Sequence, residues 1–250
     1  MDEHVPSRLS RRSFLSSVAI SALAGTTSTA LARTFSDVLP WAANVSEPPV
    51  PVLPGSWQFF TPDEAMTVEA IVDCLIPADD LSIGGKEAGC AVYIDRQLAG
   101  SYGSSSRLYT KGPFMKGLPT QGYQGEATPA GIYRRGINAI NTYLKTNSVG
   151  KVFSELPAAE KDSFLKDLEA DKIKLPNDVD GRAFFGVILN NAMEGFFADP
   201  VYGGNKNMVS WRMLGFPGAR YDYRDHVSKH NQPYPLPPVS IAGAPEWPEK

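Results

Sequence analysis

Apolar residues recur at helical spacing in five segments of this 250-residue chain, and no segment shows the period-two alternation of a strand. The first segment starts at Thr61-Pro62-Asp63-Glu64, with Thr61 as N-cap, Pro62 as first helical residue and Glu64 completing a capping box. Ala65, Val68, Val72 and Leu75 then share one face, and Pro77 stops the helix. A second helix is expected over about Glu87 to Ala99, carrying Val92, Tyr93, Ile94 and Leu98 and closed by Gly100. Thr128-Pro129 repeats the cap-then-proline start. Ile132, Tyr133, Ile137, Ile140 and Leu144 form a stripe that runs to about Lys145. Pro157 opens a fourth helix, Ala158 to about Ala170, with Phe164, Leu165 and Leu168 facing inward. The fifth, Arg182 to about Ala198, carries Phe184, Phe185, Val187, Ile188, Met193, Phe196 and Phe197. It is apolar most of the way round and is expected at the centre of the fold.

The connections are long. Glycine (22) and proline (21) are abundant, and Ser101 to Glu126 is too interrupted for regular structure, which in a compact domain marks a functional or partner-pinned loop. Residues 33–56 and 232–250 are proline-rich and cannot build a core of their own; such arms pack across a surface, their own or a partner's. The expected fold is all-α: a single helical domain over 57–231 with long irregular loops and proline-rich N- and C-terminal arms.

Ahead of the first arm stands Ser10-Arg11-Arg12-Ser13-Phe14-Leu15, then a short apolar run and Ala30-Leu31-Ala32. The paired Arg11 and Arg12 followed by Phe14 and Leu15, with a weakly hydrophobic, serine-rich core, favour a twin-arginine leader over an ordinary secretory one. The apolar run is well short of the roughly 20 residues that span a bilayer. Residues 1–32 are accordingly set aside as a cleaved signal peptide, and the mature chain is expected in the periplasm. The twin-arginine route carries folded proteins, often with a cofactor or a partner attached.

Composition limits the remaining possibilities. The net charge of −3 offers no concentrated basic surface for nucleic acid, and 42% hydrophobic residues can bury a real core. Cys74 and Cys90 are the only cysteines. They could pair in the oxidising periplasm, Cys74 could be a buried apolar residue, or one thiol could bond a partner. Two are too few for a four-cysteine iron–sulfur site. The chain has no phosphate-cradling glycine loop, nucleophile elbow or His-Glu-x-x-His. Asp79 and Asp80 fit a capped turn better than an acid–base pair. His226 and His230 would share a face on a helix, but no third metal ligand is evident. Tyr202-Gly203-Gly204-Asn205 is either a docking loop for another chain or the turn that ends the central helix, and Trp211 behind it is a further interface candidate.

Several of these motifs together resemble the gluconate 2-dehydrogenase subunit 3 family, the small subunits of membrane-bound, flavin-dependent gluconate 2-dehydrogenases. The small subunits of fructose, sorbitol and glucose dehydrogenase complexes look similar. The resemblance rests on the twin-arginine leader, Phe60-Thr61-Pro62 with Glu64, Leu75-Ile76-Pro77-Ala78-Asp79, Glu87-Ala88-Gly89 and Tyr93-Ile94-Asp95-Arg96-Gln97-Leu98. It is most specific in Glu194-Gly195-Phe196-Phe197-Ala198-Asp199-Pro200, which runs into Tyr202-Gly203-Gly204-Asn205, Trp211 and Gly215-Phe216-Pro217-Gly218. Thr128-Pro129-Ala130-Gly131-Ile132-Tyr133-Arg134 looks closest to the gluconate branch.

The resemblance implies a partner subunit of the glucose–methanol–choline type that binds FAD and oxidises gluconate to 2-keto-gluconate. It also implies a multihaem cytochrome c subunit that passes electrons to quinone, so that the complex is associated with the inner membrane. The small subunit would have no cofactor, metal or catalytic residue of its own, and would supply export and assembly of the flavin subunit. Two other readings follow from the residues alone: an exported sugar enzyme using Asp79, Asp80 and Glu194, and a periplasmic metal- or ligand-binding protein using His226 and His230.

Overall fold

Proline and a capping side chain set where the helices start. Thr61 Oγ1 accepts from the Glu64 amide (3.3 Å) while Glu64 Oε2 accepts from the Thr61 amide (2.8 Å), and α1 runs Pro62–Leu75. The computed structural model describes residues 50–52, 55–106, 108, 111–115, 117–148, 150–220 and 222–243. The leader residues Arg11, Arg12, Phe14 and Leu15 lie outside the described residues, as do most of the N-terminal arm and the end of the C-terminal arm. Contacts gather the described residues into one unit.

The described residues form six α-helices, with no sheet and only two isolated bridges. The second helix, α2 (Cys90–Ala99), starts three residues later than its apolar pattern suggests. Gly89 has φ +84°, a left-handed conformation that an α-helix cannot contain, so Glu87 and Ala88 belong to the preceding turn. Thr128 Oγ1 caps α3 (Pro129–Asn147) at the Gly131 amide, as expected. The next helices are α4 (Ala158–Glu169) and α5 (Gly181–Phe197), the latter capped by Asp180 on the Ala183 amide (2.9 Å). A six-residue helix, α6 (Val209–Leu214), holds Trp211; it is too short to leave a periodic stripe in the sequence.

The α5 helix is central, touching α1, α2, α3, α4 and α6. Phe184, Phe185, Ile188, Ala192 and Phe196 are buried on it, packed with Val68, Ile71 and Val72 of α1, Ile94 and Leu98 of α2, Tyr133, Ile137 and Ile140 of α3 and Leu168 of α4. Its last turn departs from the all-round apolar expectation, because Met193 and Phe197 face solvent. Away from that turn a buried polar link joins α1, α3 and the 3₁₀ turn Phe153–Glu155. Asn141 donates to Thr67 Oγ1 (3.1 Å) and accepts from the Phe153 amide (3.1 Å).

The N-terminal approach is fastened by one carboxylate. Asp95 is fully buried on α2 and accepts from the backbone amides of Gln58, Phe59 and Phe60 at 2.8–2.9 Å, with Arg96 paired to its other side. Arg134 of α3 binds Glu64 and the Phe59 carbonyl, and its guanidinium lies 4.1 Å from the centre of the Phe59 ring. The chain entering α1 is thereby clamped between α2 and α3.

Candidate functional site

The sequence cluster from Glu194 to Asn205 folds into a junction. At the end of α5 the buried Asp199 accepts from the Val201 amide (3.0 Å) and the Ser240 hydroxyl (2.7 Å) through Oδ1, and from the Ile241 amide (2.7 Å) through Oδ2. The Val201 carbonyl accepts from the Val52 amide (2.9 Å). One short turn therefore ties residue 52 of the N-terminal arm and residues 240–241 of the C-terminal arm to the core. A parallel bridge between Gly218 and Val239 holds the C-terminal segment a second time.

Asn205 organises the rest of the turn. With φ +46°, it donates from Nδ2 to the Ala198 carbonyl (2.9 Å) and accepts from the Ser210 amide and hydroxyl (3.0 and 2.8 Å) through Oδ1. The two glycines before it permit close backbone contact. A Cβ on Gly204 would fall inside the Gly195 carbonyl of α5, and a Cβ on Gly89 would stand 2.6 Å from the Gly203 oxygen. Trp211 donates its indole N–H to the Phe197 carbonyl (2.9 Å). Of the five interface candidates, Gly204, Asn205 and Trp211 are buried, Gly203 is half-buried and Tyr202 alone is exposed. The buried three match the helix-ending turn and offer no side chain to a partner. Tyr202 is the part of the loop that faces outward.

Tyr202 stands on the rim of an open groove of about 460 Å³, lined also by Tyr93 and Gln97 of α2 and by Glu194, Phe197, Ala198 and Asp199 at the end of α5. Gly195 lets the two helices meet closely, since the Tyr93 ring occupies the space of its missing Cβ, 3.0 Å away. A polar network runs inward from Glu194. Asn191 Nδ2 donates to Glu194 Oε2 (2.9 Å), and Asn191 Oδ1 accepts from the buried Tyr133 hydroxyl (2.9 Å) and from the Tyr102 hydroxyl (3.3 Å). Burial pushes the Tyr93 hydroxyl up to about 12, with the Glu194 carboxylate adding to the effect. Burial also holds Tyr133 well above the usual phenol range, with smaller contributions from Tyr102 and Glu194. Among the described residues no lysine or arginine pairs with Glu194. The groove is thus a partly aromatic surface with two carboxylates, of which Asp199 is buried and bonded to Val201, Ser240 and Ile241 while Glu194 is exposed. In the sequence Tyr93 reads as an apolar helix residue and Glu194 as a candidate carboxylate beside Asp79 and Asp80, and the network that joins Glu194 to Tyr133 and Tyr102 is not legible there. Helical spacing holds the available clue, since Tyr93 and Gln97 (i, i+4) and Glu194 and Phe197 (i, i+3) each share a face.

The other sequence candidates lie elsewhere. Asp79 Oδ1 accepts from the amides of Leu81 (2.8 Å) and Ser82 (2.9 Å), closing a turn after α1, and Asp80 beside it is exposed. Neither lines the groove that holds Glu194. The helix on which His226 and His230 would share a face does not form. The segment is a single 3₁₀ turn, Arg224–His226, with His226 packed on Tyr234 at 4.8 Å between ring centres. Among the described residues no group of three or more histidines, cysteines or carboxylates is placed to hold a metal.

Cys74 and Cys90 are free thiols, so the intrachain bridge is not made. Cys90 is fully buried in the core at the start of α2, where burial raises its thiol to about 12. Cys74 is half-buried on α1 within the field of Asp162, Lys161 and Lys166 of α4; burial, then Asp162, raises it. No described helix is long and apolar enough to cross a membrane.

Fold and surface define a small all-α protein whose buried Asp95 and Asp199 fasten its own backbone and which exposes Phe197 and Tyr202 beside the end of one helix. The family model described as gluconate 2-dehydrogenase subunit 3 matches residues 62–218, and the chain belongs to that family. The match starts at α1 and ends at Gly218, leaving both arms outside it. No curated protein and no solved structure matches the chain.

Proposed function

We propose that this chain is the non-catalytic small subunit of an exported, flavin-dependent gluconate 2-dehydrogenase complex, and that it supplies twin-arginine export and assembly of the FAD-binding subunit. The observation that carries this reading is family membership over residues 62–218, the whole six-helix body. In the complex a glucose–methanol–choline type subunit holds FAD and oxidises gluconate to 2-keto-gluconate. A multihaem cytochrome c subunit receives the electrons and links the assembly to the inner membrane.

The chain's own residues serve that role mechanically. Asp95 anchors the approach to α1 and Asp199 the C-terminal arm by charge-assisted hydrogen bonds to backbone amides. Val52, at the N-terminal end of the described body, is fixed through its amide to the Val201 carbonyl, next to Tyr202 on the groove rim. A flavin subunit held at that groove would be exported as folded cargo on the leader of this chain.

Replacing Arg11 and Arg12 together with lysine tests the export claim. The flavin subunit is expected to accumulate in the cytoplasm, with most periplasmic gluconate oxidation lost. Unchanged periplasmic flavin subunit in that double variant would contradict it.

A further inference from the structure

We propose that the groove between Tyr93, Glu194, Phe197 and Tyr202 receives an arginine side chain of the flavin subunit, stacked on the aromatic rings and paired with the Glu194 carboxylate; this rests on the reading above. Four observations lead to it. The groove is open and, at about 460 Å³, has ample room to admit a side chain. Its walls are aromatic, and Tyr202 and Phe197 remain exposed. Glu194 is exposed and has no cationic partner among the described residues, its one hydrogen bond coming from Asn191. Its orientation is fixed from beneath, because Asn191 holds Oε2 and is itself held by Tyr133 and Tyr102.

A positioned carboxylate surrounded by π faces favours a cation over any neutral group. Among cations the guanidinium fits best, since its planar fork meets a carboxylate edge while its faces stack on rings, and it loses less hydration than an ammonium. The same negative potential is felt by Tyr93, whose hydroxyl is held up to about 12 by burial and then by Glu194. Arginine in an aromatic pocket is also the type of contact that dominates binding energy at protein interfaces.

The test measures binding of the purified full-length mature chain to its flavin subunit across a salt series, for wild type and for Glu194→Gln. The amide keeps an acceptor for Asn191 and removes only the charge. The expected result is a dissociation constant raised about ten-fold in E194Q with a flatter salt dependence, and a similar loss in Tyr202→Ala. Y202A alters an exposed side chain, so it keeps the test decisive if E194Q folds poorly. Equal affinity and equal salt dependence in both variants, beside a wild type that binds, would overturn the arginine site and leave the small-subunit reading standing. A wild-type chain that does not bind the flavin subunit would overturn that reading and this site with it.

Discussion

Asp95 shows how much one side chain can decide in this protein. It is fully buried, yet it accepts from three consecutive backbone amides and pairs with Arg96, so its charge is met on every side. Replacing it with alanine leaves those amides without an acceptor. Asp95→Ala should cost about 3–5 kcal/mol in urea unfolding, and Asp95→Asn about 2. The thiols give a second prediction at this scale. With both thiols raised by burial, Cys90 to about 12, and with Cys74 half-buried where Cys90 is fully buried, native protein at pH 8 should label slowly at Cys74 and not at Cys90, and at both after unfolding. The linked pH effect has a definite sign. Cys90 and Tyr93 are neutral in the fold with raised values, so their contribution to stability is full below about 9. It is lost as pH rises from there toward 12. An unfolding midpoint that stayed constant from pH 8 to 11 would contradict that assignment.

At the scale of elements, the Asp199–Asn205 turn is the piece on which the others depend. It ends α5, receives the arms at Val201 and Asp199, and seats its glycines against α5 and the turn before α2. Gly204→Ala should destabilise the protein by about 3 kcal/mol, because a methyl group there meets the Gly195 backbone carbonyl and neither backbone can move aside. Gly150→Ala, in open space but at φ +78°, should cost about 1 kcal/mol, and the difference between the two separates collision from backbone strain. Helix starts were legible in the sequence wherever a side chain and a proline mark them, as at Thr61-Pro62 and Thr128-Pro129. The start of α2 was less so, since Gly89 sets it by a backbone angle that apolar spacing does not encode. The six-residue α6 left no pattern at all. Asp95 was visible as an acidic residue among Ile94 and Leu98, but its partners are 35–37 residues away, a separation no local pattern expresses.

At the scale of the molecule, the same logic explains why the candidate site was only half legible. Tyr202, Gly203, Gly204 and Asn205 stood out as a unit, but the fold divides them. Asn205 and Gly204 turn inward to build the junction, and Tyr202 turns outward to join Tyr93, Phe197 and Glu194 from two helices. A surface assembled from α2, α5 and a turn exists only once the chain is packed. Family membership identifies this body as a gluconate 2-dehydrogenase subunit 3, and the proposed role follows from reading that membership together with the twin-arginine pattern of the sequence. The central claim is that the flavin subunit depends on this chain to leave the cytoplasm folded and loaded. The most direct measurement is periplasmic FAD content and gluconate oxidation when the flavin subunit is expressed with and without it. The account predicts FAD-loaded, active flavin subunit in the periplasm only when the chain is present; full periplasmic activity in its absence would contradict it.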